Sequence, residues 1–171
     1  SQGIRATFDS SNNKVVIAYA DFGNSGYGTA IVGTVSGTSI SFGTATSFHN
    51  AAFVRGAITF DSSNNKVVVG YGDSGNSDYG TARVGTVSGT GISFGTEVVF
   101  NSGGTDEMSA TFDSNNNKVV VAYEDDANSD YTAARVGTID SSDNSVTFGT
   151  EVNVEEANTA YQRIVFDSNS N

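Results

Sequence analysis

Three short segments of the chain hold carboxylate, amide, hydroxyl and phenol groups at one fixed spacing. They read Asp21-Phe22-Gly23-Asn24-Ser25-Gly26-Tyr27, Asp73-Ser74-Gly75-Asn76-Ser77-Asp78-Tyr79 and Asp125-Asp126-Ala127-Asn128-Ser129-Asp130-Tyr131. Asp21, Asn24 and Tyr27, with Asp73, Asn76, Tyr79 and Asp125, Asn128, Tyr131, make a ligand-binding set suited to sugars. Polar groups would bond the hydroxyls and a ring would cover the apolar sugar face. The same oxygens could hold a metal. Turn chemistry accounts for the residues as well, because Asp and Asn bond their own backbone and Asn and Gly tolerate left-handed geometry. A second series, Asp9-x-Ser11-x-Asn13, Asp61-x-Ser63-x-Asn65 and Asp113-x-Asn115-x-Asn117, sets side-chain oxygens at alternate positions, like part of a calcium loop. Calcium needs six to eight oxygens, and the distal Glu and central Gly of the helix–loop–helix motif are missing. Asp9, Asp61 and Asp113 are therefore read first as turn formers, with Ca2+ as the second reading and no other cofactor expected.

Catalysis finds less support. His49 is the only histidine and has no partner nearby in sequence. The acidic runs Glu124-Asp125-Asp126 and Glu155-Glu156 would serve glycoside hydrolysis only if two carboxyls faced each other across a cleft, which adjacency does not establish. They read as solvated loops. No Gly-x-Ser-x-Gly elbow, HExxH or P-loop occurs, and cysteine is absent, so thiol chemistry and disulfide stapling are excluded. No enzyme is expected.

These groups are positioned by a repeat. Phe8, Phe60, Phe112 and Phe166 each open a Phe-Asp-Ser step. Lys14, Lys66 and Lys118 follow, then Tyr19, Tyr71 and Tyr123, and later Phe42-Gly43-Thr44, Phe94-Gly95-Thr96 and Phe148-Gly149-Thr150. The units span residues 1–56, 57–109 and 110–163, and residues 164–171 begin a fourth. The third unit's extra residues fall in Ile139–Ser145, at an expected turn. Each unit reads as four strands, in the first about Ile4–Phe8, Lys14–Ala20, Tyr27–Val35 and Ile40–Thr44, the last extending toward Phe48. Helical periodicity is absent. The second strand is apolar on both faces, with Val15, Ile17 and Tyr19 on one and Val16, Ala18 and Ala20 on the other, as in a layered stack. Small residues at Ala18, Gly70 and Ala122, and at Gly33, Gly85 and Gly137, are expected to admit a neighbouring sheet.

The expected class is all-β: tandem four-stranded antiparallel units, read as β-propeller blades. A row of small sandwiches and a β-solenoid are the alternatives. Three blades do not close a ring, and Tyr161–Phe166 is surplus to three units. Either the array continues in a longer protein, the preferred reading because a boundary in mid-hairpin is an odd terminus, or the surplus strand pairs with another copy. Self-association or further repeats are thus the expected partners. The links Phe48–Phe53, Asn101–Met108 and Glu155–Gln162 differ most and should share a face with the loops above.

Composition narrows the remaining partners. The net charge of -11 repels phosphate backbones and anionic lipid heads, so neither nucleic acid nor a membrane surface is expected; glycans, cations and basic protein patches remain. No apolar run is long enough to span a bilayer, and Ser1-Gln2-Gly3-Ile4-Arg5 does not read as a signal peptide. Eleven Phe and seven Tyr supply the bulk of a core.

Three stretches, Phe112–Tyr123, Asn128–Tyr131 and Val32–Thr44, resemble tandem β-repeats of large surface proteins of marine bacteriophages, found in tail fibres and virion appendages. The resemblance covers nearly the whole chain. It implies an extracellular or virion-surface location and a structural or adhesive role, and carries over no catalytic residue. The Asp-box of sialidases and the Trp-Asp pair of WD repeats are absent. The expected function is a non-catalytic structural or adhesive repeat module of a fibre-like protein; the alternative is a lectin-like propeller with one weak sugar site per blade.

Overall fold

A computed structural model describes residues 3–159 and 161–169; Ser1, Gln2, Ala160 and the end of the fourth copy's turn, Ser170-Asn171, lie outside the description. The β-branched run of the second strand pairs back on the first: β1 (Arg5–Asp9) and β2 (Lys14–Asp21) form a hairpin in which Phe8 faces Val15. β3 (Tyr27–Ser36) pairs with β2, and β4 (Ser39–Phe42) returns along it through the two-residue turn Gly37-Thr38. Gly37 sits at φ +60°, the left-handed geometry this turn requires.

The next strand joins the units. β5 (Thr46–Asp61) pairs with β3 over Thr46–Ala52 and with β6 (Lys66–Asp73) over Phe53–Asp61. The pattern repeats in β7 (Tyr79–Ser88), β8 (Gly91–Phe94) and β9 (Val98–Asp113), and in β10 (Lys118–Asp125), β11 (Tyr131–Asp140), β12 (Ser145–Phe148) and β13 (Val152–Asn158). Antiparallel pairing runs unbroken through one open, 13-stranded sheet. The two long strands bend between their pairings, with Arg55 at φ +54° in β5 and Glu107 at φ +41° in β9. The bends double the sheet into three packed leaves. The first leaf ends within β5 and the second within β9.

Packing between leaves repeats residue for residue. Val16, Ala18, Val32 and Phe48 of the first leaf meet Phe60, Val67, Val69 and Tyr71 of the second. Val68, Ala82, Val84 and Phe100 of the second meet Val119, Val121 and Tyr123 of the third. Phe48 lies 5.6 Å from Tyr71 and 5.3 Å from Phe94, and Phe100 lies 5.1 Å from Tyr123 and 5.2 Å from Phe148. All eight residues of β6 are buried, whereas β2 and β10 are each only half-covered on the face that meets no leaf. Each fully buried large side chain contributes roughly 1.5–3 kcal/mol, so the middle leaf holds the other two. The first-strand segments of all four copies, carrying Phe8, Phe60, Phe112 and Phe166, converge on a groove of about 490 Å³.

Four expectations change. The fourth strand is longer and broken: β4 ends at Phe42, and β5 resumes beside the other half of β3. The link Phe48–Phe53 is accordingly strand, since nothing in Phe48-His49-Asn50-Ala51-Ala52-Phe53 breaks an extended chain. Tyr161–Phe166 makes no ladder with any described strand; it lies beside β9, where Ile164 N–H donates to the Ser109 hydroxyl at 3.2 Å. Gly33, Gly85 and Gly137 make room within their own leaf: a methyl on Gly85 would meet Phe94 Cε1 at 2.8 Å and Ile92 Cδ1 at 3.0 Å. The glycines that admit a neighbouring leaf's backbone are Gly43 and Gly95 of the Phe-Gly-Thr steps, where a methyl would collide with the Thr90 and Asn144 carbonyls. Gly70, by contrast, does face its neighbour, with Met108 Sδ 3.5 Å from an added methyl.

Gly95→Ala should therefore loosen the second and third leaves, costing about 1–3 kcal/mol. Gly91→Ser, whose Cβ would meet nothing nearer than Ser88 O at 3.7 Å, should stay within about 0.5 kcal/mol of the parent. Urea unfolding of both variants checks the contrast.

Candidate functional site

The loops after β2, β6 and β10 are closed by their own backbone. Gly26 N–H donates to Asp21 O at 2.8 Å, Asp78 N–H to Asp73 O at 2.9 Å and Asp130 N–H to Asp125 O at 3.1 Å. Ser25, Ser77 and Ser129 take left-handed φ of +56°, +56° and +61°. The leading carboxylate caps each turn: Asp21 Oδ1 accepts from Gly23 N at 2.9 Å, Asp73 Oδ1 from Gly75 N at 2.9 Å and Asp125 Oδ1 from Ala127 N at 3.2 Å. Asn24 and Asn76 stand exposed at the tips, and Asn128 donates to Asn153 Oδ1 at 3.2 Å. Tyr27, Tyr79 and Tyr131 open the following strands, each half-buried. Each trio thus divides between a turn cap, a tip amide and a strand-start ring.

The links do share a face with these loops. Phe53 N–H donates to Gly26 O at 3.0 Å, Thr105 N–H to Asp78 O at 3.0 Å, and Ser74 Oγ to Ala52 O at 3.3 Å. Two side-chain clusters form where link and loop meet. The sequence named His49 and Glu124-Asp125-Asp126 but not their partners, and the run is not a solvated loop, since Glu124 and buried Asp125 end β10.

Between the first and second leaves, buried His49 sits between two carboxylates. Its Nε2 lies 3.2 Å from Asp73 Oδ1 and its Nδ1 3.3 Å from Glu97 Oε1. Glu97 also accepts from the Tyr71 hydroxyl at 2.9 Å, and the His49 and Tyr71 rings lie 4.6 Å apart. Burial first, then the Glu97 charge, raises the Tyr71 hydroxyl far above its ordinary value. The second and third leaves repeat the plan with different groups. Asn101 Nδ2 donates to Asp125 Oδ1 at 3.0 Å, and Tyr123 donates to Glu151 at 2.5 Å, with Arg135 Nε 3.1 Å from the Tyr123 oxygen. His49 and Asn101 are 52 positions apart, as are Asp73 and Asp125. Self-alignment could therefore have paired them, had position 49 been followed into the second copy.

At the second junction Asp106, Glu124 and Asp126 bring carboxylate oxygens within 4.8 Å of one another. Glu124 stands directly opposite Asp106 in the ladder, a like-charge pairing that destabilises a sheet. Arg55, aimed by its left-handed φ, forms an ion pair with Asp106. Burial raises all three carboxyls above their ordinary values. Asp126 adds to the shift at Asp106, Asp106 and Asp126 at Glu124, and Asp130 at Asp126. The arrangement attracts cations, and Arg55 supplies one.

The first-turn carboxylates are engaged locally. Asp9 Oδ1 accepts from Ser11 N at 3.0 Å and Asn12 N at 2.9 Å, while Oδ2 accepts from Asn12 Nδ2 at 2.8 Å. Asp61 and Asp113 repeat these bonds, and those from Asn116 hold the Asp113 carboxyl below its ordinary value. Asn65 and Asn117 accept from Ser11 and Ser63 of the preceding leaf, clasping successive turns. The sequence matches no protein-family model and no curated protein.

A carboxyl that titrates higher folded than unfolded stabilises the fold at low pH and loses that contribution as pH rises past its folded value. Glu124→Gln should therefore raise the melting temperature near pH 7 by about 2 °C, as expected for a relieved surface repulsion of under about 1 kcal/mol. The gain should vanish as pH falls into the ordinary carboxylate range. Thermal unfolding across pH checks the sign.

Proposed function

We propose that the chain is a non-catalytic structural repeat module of a fibre-like, extracellular or virion-surface protein, its leaves acting as propeller-type blades. One observation carries this reading: the groups most capable of chemistry are consumed as ties between and within leaves, at equivalent positions. Between leaves His49 Nδ1 reaches Glu97, with Asp73 beside its Nε2, and Asn101 reaches Asp125; within leaves Tyr71 and Tyr123 bond Glu97 and Glu151. A catalytic His–carboxylate pair is built once and opened to substrate; here the pair is buried and its copy substitutes an amide. The resemblance to phage appendage repeats agrees with this role. The module as proposed acts without a cofactor and serves as a rigid spacer.

A lectin-like role is the second reading, favoured by one feature. Asn24 and Asn76 stand exposed beside a half-buried Tyr, on the face that also carries the variable links. A broad glycan array run with the intact chain decides between the two. Silence is the expected result. Binding that Asn76→Ala and Tyr79→Ala abolish, in variants that retain parental melting, would replace the spacer by the lectin.

A further inference from the structure

The two outer faces of the leaf stack copy the two sides of its internal junctions. On the first leaf's uncovered face lie Phe8, Val15, Ile17, Val35, Ile40 and Phe42. Their counterparts in the second leaf, Phe60, Val67, Val69, Val87, Ile92 and Phe94, pack against the first leaf. On the third leaf's uncovered face lie Val120, Ala134, Val136 and Val154. Their counterparts Val68, Ala82, Val84 and Phe100 pack against the third leaf. Loss of the neighbour is visible in exposure: Val84 and Phe100 are 0% and 4% exposed, Val136 and Val154 47% and 63%. Likewise Val87 and Ile92 are 6% and 7% exposed, Val35 and Ile40 52% and 44%.

We infer that a second copy of this chain docks head to tail, its first leaf covering the third leaf's outer face as each leaf here covers the next. The contact is heterologous, so each copy keeps one face open until a ring closes or a filament grows. Two chains supply six leaves, within the four to eight of closed propellers. The incoming copy brings its β1 to the place now taken by residues 161–166. β1 is held by a five-residue ladder and 161–166 by none, so the latter yields.

One position opposes the contact. Glu155 occupies the place of His49 and Asn101, and across the new junction it would face Asp21, the counterpart of Asp73 and Asp125. Two carboxylates would meet where the internal junctions hold a His–Asp and an Asn–Asp tie. The contact is thus weaker than the internal ones, and the shared charge of -11 makes it tighten with added salt.

The inference rests on the leaf stack rather than on any sugar, so a positive glycan array would leave it standing. Sedimentation of the intact chain across micromolar to millimolar concentration tests it, with a head-blocked variant (Val35→Asp, Ile40→Asp) and a tail-blocked variant (Val136→Asp, Val154→Asp). All four sites are exposed, and thermal unfolding confirms that each variant folds. The parent should associate, and each variant alone should stay monomeric. The mixture should give a one-to-one pair and nothing larger. Glu155→Asn, copying Asn101, should tighten parental association about tenfold, or about 1.4 kcal/mol. A folded parent that stays monomeric, a singly blocked variant that self-associates, or no tightening by Glu155→Asn overturns the proposal.

Discussion

Everything in this molecule depends on apolar burial between flat, two-sided leaves. A four-stranded unit of this size cannot exclude water from both faces of its central strand, and it has no disulfide to compensate. β6 is covered throughout because leaves lie on both sides of it; β2 and β10, with the same sequence pattern, meet a leaf on one side and are only partly covered on the other. Stability is therefore shared across units, as in other arrays whose units contact only their neighbours.

Polar groups follow from that packing. A buried donor or acceptor must find a partner or destabilise the fold. The leaves supply partners across each junction, His49 Nδ1 with Glu97 and Asn101 with Asp125, while Ser63 and Asn117 clasp exposed turns. His49 Nε2, 3.2 Å from Asp73 Oδ1, makes no hydrogen bond among the described residues. The turn carboxylates Asp9, Asp61 and Asp113 bond their own backbone, which fixes the hairpin feeding each central strand. Charge is least well balanced around Asp106, Glu124 and Asp126, where the bend at Arg55 brings a single cation to three carboxylates. Left-handed backbone at the two bends is the local cost of turning one continuous sheet into a stack.

Much of the fold was legible because its signals are local. Alternating β-branched residues, Asx-rich turns and the recurring Phe-Gly-Thr step define the strands, the hairpins and the period. The fourth strand was misjudged at its end. Phe-Gly-Thr looks like a terminus but is a break, after which the chain resumes beside the same neighbour. Gly33, Gly85 and Gly137 were assigned the wrong neighbour, and Gly70 the right one, because spacing shows that a residue is small, not what approaches it. The loops named as ligand sites lie together on one face, yet their carboxylates serve as turn caps.

Composition and periodicity by themselves determined the all-β class, the three-fold repetition and the turn chemistry, because each follows from backbone preferences within a few residues. Only tertiary structure decided which residues cross from leaf to leaf. His49 meets Asp73 and Glu97 from 24 and 48 positions away, and Arg55 meets Asp106 from 51. Such contacts depend on how far each long strand bends before it enters the next leaf. That bend balances apolar burial over the whole stack against strain at one residue, and no local run of sequence encodes it.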